Sequence, residues 1–123
     1  MKRDMDLARK ILFEIEACED PLGPTDDLKI DGYSDQVVSY HVKILAEAGL
    51  LEAEDVSEMG TDGFRVWAKS LTWQGHEFIE AARDETHWRK TKKLVSEKGG
   101  GLMFEVLKFA LTQGVKSQLF PGS

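Results

Sequence analysis

The residues of this chain best suited to metal binding or catalysis are three histidines and one cysteine, His41, His76, His87 and Cys18. His76 and His87 are eleven positions apart, about three helical turns, so at this spacing on one helix they cannot bind the same ion. Residues scattered in this way usually pack or form hydrogen bonds, and the pattern predicts neither a metal site nor a cofactor. His41 falls on the inward face of a predicted helix, which favours a hydrogen-bonded core histidine.

Motifs that carry catalysis are absent from the sequence, including the nucleophile elbow, the P-loop and the dinucleotide-binding glycine pattern. The segment HEFIE, residues 76–80, has one histidine where a zinc protease has two. The glycines at 99–101 follow a predicted helix rather than a strand, so they indicate a hinge before a phosphate cradle. The nearby carboxylates point in several directions on one helix, as on a solvated face; they are Glu77, Glu80, Asp84 and Glu85. The sequence therefore does not predict an enzyme.

A chain of 123 residues, with 41% hydrophobic and 31% charged residues, has the size and composition of one globular domain. The net charge of −6 makes it a poor default binder of nucleic acid, because phosphate contacts supply most non-specific affinity. One cysteine permits no internal disulfide, the N-terminus is not that of a signal peptide, and no apolar run approaches a membrane span. We therefore expect a cytoplasmic protein that does not bind membranes.

Two helices are predicted in the first half of the chain. Apolar residues at spacings of three and four predict a helix over residues 4–18, with Asp4 as its N-cap. A connector over residues 21–36 follows, with a short strand at residues 28–30. Ser34 caps a second helix that runs to about residue 48. Gly49 suits the left-handed position after that helix, and Leu50 covers its end.

A hairpin and further helices are predicted in the second half. Strands are expected over residues 50–56 and 64–71, because turn-forming residues separate them. Thr72 caps a long helix over residues 73–98, and a strongly apolar helix follows over residues 102–119. This order predicts an α+β fold, a winged helix-turn-helix-like single domain with a long helix after the wing and an extra apolar C-terminal helix. Residues 1–98 form the winged-helix-like domain, and residues 99–123 form a glycine hinge and a C-terminal interaction helix.

Two local motifs resemble parts of winged-helix regulators. VSYHVKILAEAGLLE, residues 38–52, is similar to the recognition helix of the bacterial arsenic-repressor and multiple-antibiotic-resistance-repressor families. LTWQGHEF, residues 71–78, resembles the motif that follows their wing. The resemblance implies a surface that faces DNA, with Tyr40 where these families often place an arginine. On this surface the residues toward the groove are Gln36, Ser39, Tyr40 and Lys43, and those near phosphates are Lys2, Arg3 and Arg65.

Acidic residues argue against DNA binding by that surface. No lysine or arginine lies between Lys43 and Arg65, a segment that holds Glu47, Glu52, Glu54, Asp55, Glu58 and Asp62. A wing usually approaches the sugar-phosphate backbone, which these carboxylates would repel. Two interpretations stay open. One is direct DNA binding, and the other is a scaffold for protein contact, for instance an inhibitor whose acidic wing mimics nucleic acid.

The C-terminal segment is the strongest indication of a partner. From residue 102 to residue 111, eight of ten residues are apolar, which leaves only a narrow polar stripe. This helix either closes the core or forms a homodimer, and its charges argue against a membrane anchor. Trp88, beside a basic run, is either a core residue or a contact for bases or a partner. The predicted interface comprises Trp88, Leu102, Met103, Phe104, Val106, Leu107, Ala110 and Leu111.

Stretches from end to end resemble a family of short bacterial and phage proteins, a domain of unknown function. They are MKRDMDLARKIL (1–12), GYS (32–34), YHVKILAEAGL (40–50), LTWQGHEF (71–78), ARDETHW (82–88) and EKGGGLMFEVLK (97–108). The resemblance implies a winged-helix-like fold and a phage or prophage setting, but no reaction, ligand or catalytic residue. Together the observations predict a small regulatory protein that binds DNA or a protein of the transcription or replication machinery.

Overall fold

The computed structural model of the protein describes residues 1–24, 28–58 and 63–97, with side chains described up to residue 93. Its elements, in chain order, are α1 (Met5–Ala17), α2 (Asp35–Glu47), β1 (Leu51–Asp55), β2 (Val66–Leu71), α3 (Trp73–Ala82) and α4 (Glu85–Glu97). The fold class is α+β, as predicted. The chain divides into two compact units, Met1–His76 and Glu77–Ser123, and the boundary falls inside α3.

Helix α1 begins at Met5 because Asp4 caps it. The Asp4 carboxylate accepts a hydrogen bond of 3.1 Å from the backbone N–H of Leu7. The apolar residues of α1 at spacings of three and four form one buried stripe, with 0% exposure at Leu7, Ile11 and Leu12 and 4% at Ile15. Burial of each such side chain contributes about 1.5–3 kcal/mol. Since α1 contacts α2 and β2, this stripe forms much of the core of the first unit, and the predicted helix and cap are confirmed.

The connector between α1 and α2 holds turns, and its described residues contain neither helix nor strand. The predicted strand at residues 28–30 is wrong, because a strand needs a partner, and in the described chain β1 and β2 pair only with each other. Instead, the Ile30 carbonyl accepts a hydrogen bond of 3.2 Å from the backbone N–H of Tyr33, which closes a turn. Gly23, with φ +86°, lies against the backbone carbonyl of Lys69 in β2, where a Cβ atom has no room.

Strands β1 and β2 form an antiparallel hairpin, as predicted, although both are shorter than the sequence pattern indicates. Leu51 pairs with Leu71, and Ala53 pairs with Ala68. Strand β2 therefore holds one extra residue between these pairs, which is a β-bulge. Helix α2 contacts both strands and α1 contacts β2, so the two helices cover the hairpin.

The prediction of one long helix over residues 73–98 is wrong, because α3 ends at Ala82 and α4 begins at Glu85. Asp84 caps α4. Its carboxylate accepts a hydrogen bond of 2.8 Å from the backbone N–H of His87, and its carbonyl accepts one of 2.9 Å from that of Trp88. An aspartate that binds backbone N–H groups in this way starts a new helix in place of continuing the old one. No helix among the described residues is long and apolar enough to cross a membrane.

Phe78 and Trp88 form an aromatic pair inside the second unit. Their rings meet edge to face, with centroids 6.2 Å apart, and both are buried, with 2% and 1% exposure. Trp88 is therefore a core residue of this unit. This is one of the two roles that the sequence leaves open for it, the other being a contact with bases or with a partner. The remaining predicted interface residues, Leu102, Met103, Phe104, Val106, Leu107, Ala110 and Leu111, lie outside the described residues, as do the glycine hinge and the predicted domain boundary.

Candidate interaction surface of α2 and the hairpin

Helix α2 is bounded by two capping motifs that the sequence predicts. At its N-terminus the Ser34 hydroxyl accepts a hydrogen bond of 3.3 Å from the backbone N–H of Val37. At its C-terminus Gly49 has φ +79°, and the N–H groups of Gly49 and Leu50 donate to carbonyls of the last turn at 2.9 and 3.1 Å. This is a Schellman motif, in which a left-handed residue closes the helix. The predicted roles of Ser34 and Gly49 are confirmed.

The LTWQG segment, residues 71–75, joins the hairpin to α3 and also holds the end of α2. The Thr72 hydroxyl accepts a hydrogen bond of 3.1 Å from the N–H of Gly75, which caps α3, and donates one of 2.6 Å to the Gly49 carbonyl. The backbone N–H of Thr72 donates to the Leu50 carbonyl at 3.1 Å. Gly75 lies so close to this carbonyl that a Cβ atom would overlap its oxygen. The threonine and the glycine therefore lock α2, β1 and the start of α3 together.

A partly buried polar network joins α1 to α2 and to the connector. His41, 1% exposed, accepts a hydrogen bond of 2.8 Å at Nε2 from the backbone N–H of Asp4. Because that N–H can only donate, the ring carries its proton on Nδ1, which donates to the Val37 carbonyl at 2.8 Å. The predicted core role of His41 is confirmed.

Tyr33 extends the network from the connector. Its hydroxyl donates a hydrogen bond of 2.9 Å to the Asp4 carboxylate. This bond, together with burial and the nearby charges of Asp4 and Asp6, raises the pKa of Tyr33 above its ordinary value of 10.0. Sequence reasoning missed the arrangement, because Asp4 is 29 residues from Tyr33 and 37 residues from His41, and no local pattern links the three.

The outward side of α2 presents a line of polar residues at helical spacing: Gln36, Tyr40, Lys43 and Glu47. Tyr40 is half-buried, and the other three are exposed. Lys43 Nζ lies 6.0 Å from the centroid of the Tyr40 ring and 3.5 Å from Glu47 Oε1. Ser39 is only 5% exposed, so the prediction that it faces outward is wrong. Because α2 contacts α1 as well as both strands, its buried arc is wider than one apolar stripe.

Asp35, in the first turn of α2, binds two cations. Lys29 Nζ donates to both oxygens of its carboxylate, at 2.8 and 2.7 Å, and Arg65 Nη1 lies 3.8 Å from one of them. The hydrogen bond from Lys29 is the main cause that lowers the pKa of Asp35 below its ordinary value of 3.8, and the charges of Lys29 and Arg65 add to it against partial desolvation. Arg65, a predicted phosphate contact, is therefore held by a carboxylate of the protein itself.

The hairpin side of the surface is acidic. The exposed carboxylates of β1 and the segment after it are Glu52, Glu54, Asp55 and Glu58. Hydrogen bonds from the side chain and backbone of Ser57 lower the pKa of Asp55 below its ordinary value of 3.8, so this carboxylate stays charged at neutral pH. Lys69 Nζ lies 2.9 Å from Glu54 Oε2 and 5.7 Å from the centroid of the Trp67 ring. The cation of β2 is therefore also paired.

Lys2 and Arg3, the remaining predicted phosphate contacts, are exposed and directly precede the cap of α1. The backbone N–H of the next residue, Asp4, binds the inward-facing His41. The structure therefore anchors the backbone beside these two cations and leaves their side chains in solvent. It brings Gln36, Tyr40 and Lys43 into one line, as predicted, but separates Ser39 from them.

Histidine and cysteine side chains do not gather into a metal site. Among the described residues, no three His, Cys, Asp or Glu side chains are grouped closely enough to hold an ion. Cys18 and His76 do line a common cleft of about 190 Å³, formed by the end of α1, the loop after it, β2 and the first turn of α3. Periodicity cannot reveal this proximity, since the tertiary contacts of α1 with β2 create it.

Residues 2–101 match the model of a family described as a hypothetical protein, DUF2513. A protein of Haemophilus influenzae with the name "Uncharacterized protein" is 35% identical over 119 residues, which cover 97% of this chain and 98% of the relative. No solved structure matches the chain. The predicted relationship to a domain of unknown function is confirmed. Because the family model covers residues 2–101 and the relative covers 97% of the sequence, this chain belongs to the DUF2513 family.

Proposed function

We propose that this chain is a regulatory, winged-helix-like module that binds a protein partner through the outward side of α2 and the acidic hairpin. The order of helix, helix, hairpin and helix supports the winged-helix interpretation, with α2 in the place of the recognition helix. The partner that fits this surface carries lysine or arginine side chains around a pocket for an aromatic ring. A phage or prophage setting stays a prediction from the sequence.

The observation that carries the proposal is the charge balance of this surface. Its described cations are Lys29, Lys43, Arg65 and Lys69, and each lies within ion-pair distance of a carboxylate of the same surface. Exposed pairs contribute only about 0–1 kcal/mol each, so a phosphate could displace them one by one. The described carboxylates outnumber the cations, however; they are Asp35, Glu47, Glu52, Glu54, Asp55 and Glu58. Net negative charge therefore remains and disfavours DNA phosphates.

Tyr40 supplies the second feature of a protein-binding surface. It is half-buried in the middle of the outward line, with Gln36 one turn before it and Lys43 one turn after it. Aromatic side chains at the centre of a polar rim carry much of the affinity of protein interfaces. The acidic hairpin beside it would speed the encounter with a basic partner and set its orientation.

Direct reading of DNA by α2 is the competing function. The observation in its favour is the exposed line of Gln36, Tyr40 and Lys43, side-chain types that donate hydrogen bonds to base edges or phosphates. Selection of binding sequences from random duplexes addresses it directly. A selected sequence whose binding is lost in both Gln36→Ala and Lys43→Gln would establish DNA reading and overturn the proposal.

Affinity capture with the immobilised chain, followed by reconstitution with the purified partner, tests the proposal itself. We expect Tyr40→Ala to weaken binding roughly tenfold or more, as for a central aromatic contact. Glu54→Gln/Glu58→Gln should lower the rate of association with the partner and make that rate less dependent on salt concentration. The matched control, Glu77→Gln/Glu80→Gln, removes the same charge from α3 and should bind as the wild type does. If Glu54→Gln/Glu58→Gln and Glu77→Gln/Glu80→Gln lowered the association rate equally, this surface would not be the interface.

A further inference from the structure

Helix α4 carries the densest group of positive charges in the sequence. Four of the five residues from 89 to 93 are basic, namely Arg89, Lys90, Lys92 and Lys93. The whole chain holds 16 basic and 22 acidic residues, so this helix has the opposite sign to the protein. Charge is therefore segregated along the chain, and a negative net charge does not describe every surface of it.

The buried side of α4 is marked by Trp88 and Thr91, which are 1% and 5% exposed. Arg89, Lys90 and Lys93 are exposed, and 72% of the Arg89 side chain is accessible. At 3.6 residues per turn these three lie together on the side of the helix away from Trp88 and Thr91. We call them the basic face of α4. Their clustering follows from helical spacing together with the burial of the residues between them.

The basic face differs from the outward side of α2 in how its cations are paired. Arg89 Nε lies 3.5 Å from Glu85 Oε1, one turn earlier on the helix. Lys90 and Lys93 form no ion pair with any carboxylate whose side chain the structure describes. Lys92, at the margin of the face, has its Nζ 5.5 Å from the centroid of the buried Trp88 ring. The face therefore keeps a net positive charge.

We propose that the basic face of α4 binds the phosphate backbone of duplex DNA without reading its bases. A duplex carries about one negative charge per 1.7 Å of its axis, counted over both strands, so a row of cations about one helical turn (5.4 Å) long lies in the field of several phosphates. Arg89, Lys90 and Lys93 supply three cations over that length. The contact joins the chain to DNA at a surface other than α2 and does not depend on the protein partner proposed above.

The residues around the face decide between duplex DNA and other anionic partners. Its exposed neighbours Glu85 and Thr86 are polar, so among the described side chains of α4 the face offers no apolar group to insert into a lipid bilayer. The tryptophan of α4, Trp88, is buried, so it cannot stack on the bases of a single strand. A rigid row of cations on a helix suits the regular backbone of a duplex.

Fluorescence anisotropy with a short labelled duplex of mixed sequence tests the contact. We expect affinity to fall with salt at a slope of log K against log salt of about −2.7, for three phosphates. The variant Arg89→Gln/Lys90→Gln/Lys93→Gln should lose roughly tenfold or more in affinity at low salt and show a shallower slope. Glutamine has nearly the helix propensity of arginine and lysine, so α4 should persist, as circular dichroism will show.

A matched control, Lys29→Gln/Lys43→Gln/Lys69→Gln, removes the same three charges from the other surface and should keep the wild-type affinity within about twofold. The variant Lys90→Arg/Lys93→Arg keeps the charge and should also bind. If both triple variants lost the same affinity for the duplex, the net charge of the chain would explain the binding, and the proposal would be overturned. Absence of duplex binding at low salt, or a preference for a single strand of the same length or for anionic vesicles, would overturn it as well.

Discussion

Replacing Gly75 with alanine should destabilise the protein, although the same change inside a helix ordinarily stabilises it by about 1 kcal/mol. The difference arises from what the new methyl group meets. An ideal Cβ atom would overlap the Leu50 carbonyl oxygen and would lie 3.0 Å from the Leu50 carbonyl carbon. It would also lie 3.4 Å from the Leu71 Cβ atom. Two of these three neighbours are backbone atoms, which cannot turn aside as a flexible side chain does.

The magnitude follows from the bonds that any shift must break. The Leu50 carbonyl accepts the N–H of Thr72 at 3.1 Å, and a typical hydrogen bond of this kind contributes about 0.5–1.5 kcal/mol. Moving α3 away instead weakens the cap that the Thr72 hydroxyl provides at the N–H of Gly75, about 1 kcal/mol. Overpacking of a filled site costs about 1–3 kcal/mol in general. We expect Gly75→Ala to lower the free energy of unfolding by about 0.5–3.5 kcal/mol after the gain in helix propensity.

Urea unfolding followed by circular dichroism measures this change, with the midpoint expected to fall and the slope to stay constant. Gln74→Ala, at the exposed neighbouring position of α3, reports helix propensity alone and should be neutral or slightly stabilising. Gly49 has φ +79°, and no atom lies within 4 Å of a Cβ atom added there. Gly49→Ala should therefore lower the free energy of unfolding by about 1–2 kcal/mol through backbone strain alone. A Gly75→Ala protein as stable as the wild type would refute the close approach of α3 to the Leu50 carbonyl.

Three further changes address other contacts. His41→Phe leaves the partly buried N–H of Asp4 without its acceptor and should lower the free energy of unfolding in urea by about 1–3 kcal/mol, more than the roughly 0.5–1.5 kcal/mol expected for Tyr33→Phe; equal costs would contradict the network. Asp84→Ala removes the cap of α4 and should cost about 1 kcal/mol in thermal unfolding, whereas no change would favour one continuous helix. The lowered pKa of Asp35 means that its charged form stabilises the fold above pH 3.8 and that this stabilisation is lost as pH falls through the folded-state value. The stability difference between the wild type and Asp35→Asn should therefore narrow on acidification below pH 3.8, and a constant difference would show that the Lys29 contact is not electrostatic.

Local chemistry accounts for the features that the sequence predicts well. The sequence predicts Asp4, Ser34 and Thr72 as caps because a short polar side chain before an apolar helical pattern binds free N–H groups within three residues. Gly49 ends α2 for an equally local reason, because it adopts a left-handed conformation that other residues adopt only at a cost in free energy. Asp84 starts α4 by the same capping rule. The sequence does not reveal this cap, because the residues on both sides of Asp84 have a helical pattern and suggest one continuous helix.

The unpredicted features depend on contacts between distant segments. Ser39 is buried because α1 and the hairpin both cover α2. The periodicity of one helix does not show how many other elements pack against that helix. Residues 28–30 have an extended pattern, but a strand exists only where another strand supplies partners.

The sequence alone therefore determined the α+β class, the helix limits at Asp4, Ser34, Gly49 and Thr72, the hairpin and the family. Each depends on spacings of a few residues or on direct sequence similarity. Only the tertiary structure decided that Asp4, Tyr33 and His41 share one network and that Arg65 is paired with Asp35. Those contacts join residues that helix packing and the path of the connector bring together, and their strength depends on distances that no linear pattern records.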